Sequence, residues 1–415
     1  MSPKLRKPLV ILLLASGVFI NGIDRVSISS AAPMIIKQFR LDPALMGVIL
    51  SAFFWPYTLL QFPAGRLADM FGAKKVLGWS AALWSAASAA TGLAPNFLTM
   101  VLCRVGVGAG EAAAIPTCNK VVVDNFDSKE RGMAVGWYQA SLRFSYAMTP
   151  LLMAFLLARW GWRNAFFITG IGSLLWCAFW YCAYRDAAQD SPKAQSRQAI
   201  PWKLFLLNRT TIGLCITKFC MDYLTYLFIT WLPGYLVLER GFSIIKMGIF
   251  AALPWLAGCG TQVVMGYFSD WLVRKGINVT VARKGVQVSL QLCAATVIIA
   301  GFVHDAMLAA YLLIFCVGVQ AGAGGHYFTM LTETAPRKMA GSLSGIANTC
   351  GAFAGVLSPI VTGMIVKSTG GFRMALATGG CMALGAACTI LFVIPELKPI
   401  ELDVQALQTR AAGRI

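Results

Sequence analysis

Residues 9–36 read LVILLLASGVFINGIDRVSISSAAPMII. A helix needs about 20 mainly apolar residues to cross a bilayer, and this run supplies them, yet it carries Asp24 and Arg25 near its centre. A charge at membrane depth costs roughly 2.5–3.5 kcal/mol even on lenient insertion scales. The pattern recurs, because Arg104, Glu111, Arg143, Lys218 and Asp222 also sit inside long apolar runs. Seven such costs in one chain read as a polar pathway through a membrane protein. Cationic groups suit an anionic solute, and carboxylates suit a coupling proton.

The composition agrees. Of 415 residues, 58% are hydrophobic and 13% charged, with a mean hydropathy of +0.68. Soluble domains carry about 25% charged residues, and one globular core could not bury this much apolar sequence, so the solvent is lipid. A net charge of +18 would suggest nucleic acid in a soluble protein. Here it follows from the positive-inside bias of a polytopic membrane protein, and no nucleic-acid partner is expected. The twelve cysteines show no CxxC or ligand spacing and read as reduced, buried thiols. With two histidines, a His-based metal site is not expected. Lys4, Arg6 and Lys7 ahead of the apolar run resemble a signal peptide, but the run continues through Asn21 and Asp24 without a cleavage site, so it reads as an uncleaved first span.

Twelve spans are expected, at about 9–36, 44–65, 75–94, 97–119, 131–158, 162–184, 210–238, 245–272, 284–303, 306–332, 340–367 and 372–395. With the N-terminus inside, 23 of the 35 Lys and Arg fall on cytoplasmic segments, eight on outer segments and four within spans. Both termini are therefore expected in the cytoplasm. The polar stretch 185–209 divides the spans into an N-terminal six-helix bundle (1–184) and a C-terminal one (210–397), followed by a cytoplasmic tail (398–415). The halves echo each other. Gly65-Arg-Leu-Ala-Asp69 returns as Gly266-Tyr-Phe-Ser-Asp270, and Pro150 with Gly161-Trp-Arg163 returns as Pro359 with Gly371-Phe-Arg373. The expected fold is all-α and polytopic, with twelve transmembrane helices in two pseudo-symmetric bundles. Parallel repeats of this kind place a solute site at midplane between the halves.

The stretch Gly65-Arg-Leu-Ala-Asp69-Met-Phe-Gly72-Ala-Lys74-Lys75 resembles the loop motif of the major facilitator superfamily, G-x-L-[AS]-D-[RK]-[FY]-G-[RK]-[RK]. Met70 and Ala73 stand where that motif usually has basic residues. A narrower resemblance is to the anion:cation symporter branch, which carries sugar acids and other organic anions in bacteria. It rests on Asp24-Arg25, Tyr57 through Gly65, Arg104 through Glu111 with Pro116, Gly161-Trp-Arg163, Trp231-Leu-Pro-Gly-Tyr235 and Ser344-Gly-Ile-Ala-Asn348. The resemblance implies that Arg104 links substrate and proton sites and that Glu111 carries a proton. It also implies a gating role for Gly65, Asp69, Gly72, Lys74 and, in the second half, Asp270.

Each candidate has a plainer reading beside the functional one. Arg25 offers a planar fork that matches a carboxylate, or it forms an internal salt bridge. Asp24 is a proton site, or a structural partner for Lys218 or Arg143. Arg104 and Glu111 lie seven residues apart on one face, about 10 Å along the axis, as a functional couple or a helix-locking pair. Gln139 and Arg143, four apart, share a face of the fifth span. Arg143 departs from the small residues common there, and either adds a second cationic contact for a dianion or neutralises an acid. Lys218 and Asp222 at i,i+4 read first as a self-compensating pair. Tyr57, Tyr226 and Asn348 suit hydroxyl-rich ligands, and Tyr327 and His326 are weaker candidates of the same kind.

No P-loop is present, so ATP-driven transport is unsupported, and no nucleophile–base or metal cluster marks an enzyme. The expected activity is proton-coupled import of a small organic anion, a sugar acid such as an aldonate, uronate or aldarate, by a monomer in a bacterial inner membrane. The proton is the coupling ion and no other cofactor is expected. An organic-anion or phosphate-ester exchanger without proton coupling, and a symporter for aromatic or other carboxylates, remain as alternatives.

Overall fold

The computed structural model describes residues 3–186, 208–335 and 340–399. Among them every regular element is helical. The first span is α1 (Pro3–Phe39). The second is two pieces, α2 (Pro43–Ala52) and α3 (Phe54–Phe71), and the third is α4 (Ala73–Thr91). The fourth is again two pieces, α5 (Phe97–Glu111) and α6 (Ala114–Asn125), and α7 (Ser128–Ala183) holds the fifth and sixth. In the second half, α8 (Arg209–Leu238) and α9 (Ile244–Arg274) are the seventh and eighth spans. The ninth is α10 (Val279–Ala295) with α11 (Val297–Phe302), followed by α12 (Ala306–Thr334), α13 (Ala340–Thr369) and α14 (Arg373–Cys388). Most of the linker expected at 185–209, and the tail beyond 399, lie outside the described residues.

Among the described residues, ten stretches are by themselves long and apolar enough to cross a membrane. The expected twelve spans are consistent with this. One stretch, Lys129–Ala183, covers two of them. The third span, α4, is less apolar but has 19 residues, enough for about 28 Å of helix.

The breaks have local causes. Proline clashes with the carbonyl four residues back. Pro56 faces Ala52, where α2 gives way to α3, and Pro116 faces Ala112, immediately after α5 ends at Glu111. Gly161, at φ 73°, divides α7 where the sequence placed a loop. Beyond that break Arg163 donates to the carbonyls of Gly92 (2.9 Å) and Ala94 (3.0 Å), and Trp162 donates to Gln38 (2.6 Å). The Gly-Trp-Arg motif thus ties the start of the sixth span to the ends of the first and third. At the ninth span, Thr296 bonds back to the Cys293 carbonyl at 2.6 Å, a hydroxyl contact that bends helices.

The halves meet at one end and part at the other. At the end away from the chain's start, one apolar cluster takes Ile35, Met46, Ile49 and Met153 from the first half and Leu227, Trp231, Met247 and Phe372 from the second. A methyl built on Gly47 would stand 2.5 Å from the carbonyl oxygen of Pro359, and one on Gly248 would stand 2.8 Å from that of Pro150. Asp42 and Lys367 pair across this end at 2.8 Å. At the Lys- and Arg-rich end, by contrast, Gly132 and Gly136 of α7, Gly260 and Gly266 of α9 and Gly345 of α13 have open space before them. The contacts between the halves cluster at the end away from the basic segments, so the space between the halves opens toward the basic end.

The closed end makes two predictions. Gly47→Val is expected to drive α2 and α13 apart, read as a longer distance between spin labels at the tops of those helices; an unchanged distance would show the contact to be compliant. A hydrogen bond from Lys367, followed by the N–H of Leu45, holds the Asp42 carboxyl below its ordinary value. The latch is therefore intact at neutral pH and is lost as the pH falls through that lowered value. Being partly exposed, it is worth about 0.2–1 kcal/mol, so Asp42→Asn should shift the same label distance less than Gly47→Val does.

Candidate functional site

The two proline breaks bring the site together. The break at Phe53 sets its ring 5.0 Å below the Arg25 guanidinium and 5.3 Å below that of Arg104. Tyr57, one turn on, lies 4.5 Å from Arg25 and stacks on Phe53 at 5.2 Å. These are cation–π contacts in a desolvated setting. Arg25 directs two N–H groups at a single oxygen of Glu111, Nε at 3.0 Å and Nη2 at 2.9 Å. The other Glu111 oxygen has no partner. Asn21, one turn before Arg25, accepts from Nη2 at 3.4 Å, and the Tyr146 hydroxyl lies 3.5 Å from Nη1.

Arg104 does not pair with Glu111. It donates to the backbone carbonyls of Asp24 and Arg25, both at 3.3 Å, and so fixes α1 against α5. Close packing there needs the glycines of α5. Gly108 abuts the Phe53 carbonyl, and a methyl on Gly110 would stand 2.7 Å from the Trp84 nitrogen. Asp24 turns away from Arg25 into the first half. Its carboxylate accepts from Ser88 at 2.7 Å and from Ser173 at 2.6 Å, and it is fully buried. Neither Lys218 nor Arg143 is its partner.

The second half faces this group through aromatic rings. Phe54 meets Tyr226 edge-on at 4.6 Å, and Tyr146 meets Trp255 at 5.6 Å. Arg143 reaches across to the Ala321 carbonyl at 3.4 Å. Lys218 pairs with Asp222, as their spacing predicts, and its ammonium lies about 6 Å from the rings of Tyr327 and Phe328. Gln139 and Asn348 are exposed. Tyr327 is fully buried and gives its hydroxyl to the Leu214 carbonyl at 2.9 Å, which takes it out of reach of a solute in this conformation. His326 is buried between Gln287 and Ser269, 3.0 Å from each, away from the Arg25 group.

In this conformation the residues of the gating motif make their contacts within their own halves. Asp69 lies 3.7 Å from Lys120 of its own half, and Lys120 also pairs with Asp124 at 3.2 Å. Gly72, at φ 86°, makes the turn into α4, whose first turn is capped by Asp186 accepting from the Lys74 N–H at 2.9 Å. Gly65 packs near Pro116. In the second half Asp270 pairs with Arg283 at 2.6 Å, and Arg283 also approaches Glu333 at 3.5 Å.

Sequence reasoning missed Asn21, Ser88, Ser173, Tyr146, Lys120 and Asp186. Asn21 carries a signal, being four residues before Arg25 on one helix face. The serines carry none, because a hydroxyl in an apolar helix is usually satisfied by its own backbone.

The Major Facilitator Superfamily profile matches residues 14–359. A probable galactarate/D-glucarate transporter of Escherichia coli strain K12 is 31% identical, over 95% of this chain and 96% of that one. A probable L-galactonate transporter of the same organism is 30% identical, over 93% and 88%. The hexuronate transporter of Bacillus subtilis strain 168 is 29% identical, over 98% and 99%. Among solved structures, a D-xylose-proton symporter superposes with a TM-score of 0.75 at 18% identity, over 95% and 99% of the two chains. A bacterial homologue of the human lysosomal transporter Spinster gives 0.75 at 20%, over 94% and 95%. The protein is a multi-pass membrane transporter, not an enzyme. It belongs to the Major Facilitator Superfamily.

Arg104 supplies a test of the site's framework. Arg104→Lys keeps the charge but cannot span both carbonyls. It is expected to lower stability by about 1–3 kcal/mol, read as a lower melting midpoint of purified protein in detergent. A Lys variant as stable as the original would show that charge alone holds α1.

Proposed function

We propose that this protein imports a sugar acid together with protons across a bacterial inner membrane by alternating access. The observation that carries the reading is the Arg25–Glu111 pair: two N–H groups on one carboxylate oxygen, buried in the first half. A solute carboxylate matches the same fork. Proton and solute are then linked by competition. While Glu111 is ionised it occupies Arg25. Once protonated it loses its claim, and the solute carboxylate takes its place. Release follows when the proton leaves and the internal pair re-forms.

Asp24 serves as a second proton site, held by Ser88 and Ser173, and Arg104 transmits its state to α1 through the Asp24 and Arg25 carbonyls. Tyr57, Gln139 and Asn348 meet the solute's hydroxyls. With both termini in the cytoplasm the open cavity faces inward, and the segment around Gly65, Asp69, Gly72 and Lys74, with Asp270 opposite, closes it in the outward-open state. Similarity to galactarate/D-glucarate, L-galactonate and hexuronate transporters supports the substrate class. The exchanger alternative needs Lys218 free to face Arg25, and its pairing with Asp222 weighs against it.

Uptake of sugar acids into proteoliposomes with an alkaline interior tests the reading. Accumulation that a protonophore abolishes is expected. Glu111→Gln should keep anion exchange between the two sides and lose accumulation. Accumulation unchanged in that variant, or uptake that ignores the protonophore and requires preloaded anion, would overturn it.

A further inference from the structure

The seven charged residues at membrane depth comprise four cations and three carboxylates. Arg25 is paired with Glu111, and Lys218 with Asp222. Asp24 is satisfied by two hydroxyls, while Arg104 fixes two carbonyls of the helix that carries Asp24. Arg143 is the cation left over. Among the described residues no carboxylate lies within ion-pair distance of it. Its hydrogen bond is a long one, 3.4 Å, to the Ala321 carbonyl. A guanidinium has five N–H donors, and the carbonyl of a residue inside α12 already serves its own helix. That contact is one Arg143 can give up.

Position gives the surplus charge a use. Arg143 stands on the same face of α7 as Tyr146, one turn nearer the open end of the cavity, about 5 Å along the axis. Tyr146 is the residue whose hydroxyl approaches Arg25. Two guanidiniums thus flank one tyrosine at different depths of one cavity. Gln139 lies a further turn toward the opening and is exposed. The other groups facing Arg143 are uncharged or already engaged: Ala321 and Gly324 of α12, Cys259 of α9, and Asp222 of α8 through its bond to Lys218. Arg143 is half-buried at the side of the cavity. When the cavity closes, the charge is cut off from water, and an unpaired charge at that depth is costly.

We infer that Arg143 is the second anion contact of the solute site, and that it selects a dianion carrying an acidic group at each end, as an aldarate does, over a sugar acid with one. The inference rests on the proposed function, with one carboxylate at Arg25. The second is gripped by Arg143, which exchanges its carbonyl contact for a charge-assisted fork.

The test compares galactarate, with two carboxylates, against galactonate, with one, in proteoliposome uptake. The original protein is expected to favour galactarate. Arg143→Gln should reduce the galactarate-to-galactonate ratio of kcat/KM by about tenfold or more, whatever loss the two solutes share, and Arg143→Lys should restore part of it. A monomethyl ester of galactarate presented to the original protein removes the same charge from the solute side and needs no variant to fold. It should bind about tenfold or more weakly than galactarate. If Arg143→Gln weakens both acids equally, or the monoester equals galactarate, the second contact is refuted while sugar-acid transport stands. If the original protein moves neither acid, the sugar-acid reading itself fails and takes this inference with it.

Discussion

A buried arginine that directs two N–H groups at one oxygen of a buried carboxylate governs the rest of this molecule. Removing one partner of such a pair typically costs 3–5 kcal/mol, because the other is left uncompensated. Everything near Arg25 and Glu111 respects that constraint. Arg104, the cation that could compete for Glu111, is spent on two backbone carbonyls. Asp24, the acid that could compete for Arg25, is turned into a pair of serines. The rings of Phe53 and Tyr57 cover the guanidinium face without offering it a rival anion.

The two halves handle their charges differently. In the first half, partners come from different spans, so the state of one group is felt by several helices. In the second, Lys218 and Asp222 compensate each other on one helix. Arg283 joins Asp270 and Glu333, beside the Ser269–His326–Gln287 chain, at the basic end. That arrangement fastens α9, α10 and α12 into one unit.

The membrane fold was legible because its signals are energetic: apolar runs of span length, a Lys and Arg bias, and two echoing halves. The intramembrane charges were legible for the same reason, since each is too costly to be incidental. Their pairing was not. Arg25 and Glu111 are 86 residues apart, and nothing in the sequence says which acid an arginine meets. Lys218 and Asp222 were readable as a pair because helix geometry alone joins residues four apart. Tyr327 and His326 looked like candidate solute contacts but lie inside the second half. In a helix apolar on all sides, periodicity does not distinguish the cavity face from the packed one.

The contacts that cross between the halves differ in kind from those within each half. Across the junction lie apolar packing, glycines against carbonyls, the Ser51 hydroxyl on the Val356 carbonyl at 2.7 Å, the Arg143 contact with Ala321, and the partly exposed Asp42–Lys367 pair. The ion pairs buried most deeply, Arg25 with Glu111 and Lys218 with Asp222, lie within one half each. Rocking one half against the other would therefore leave those ion pairs intact. Backbone-to-backbone contacts at glycines also re-form without side-chain rearrangement. An architecture that keeps its buried ion pairs within rigid units would keep the barrier to such motion low.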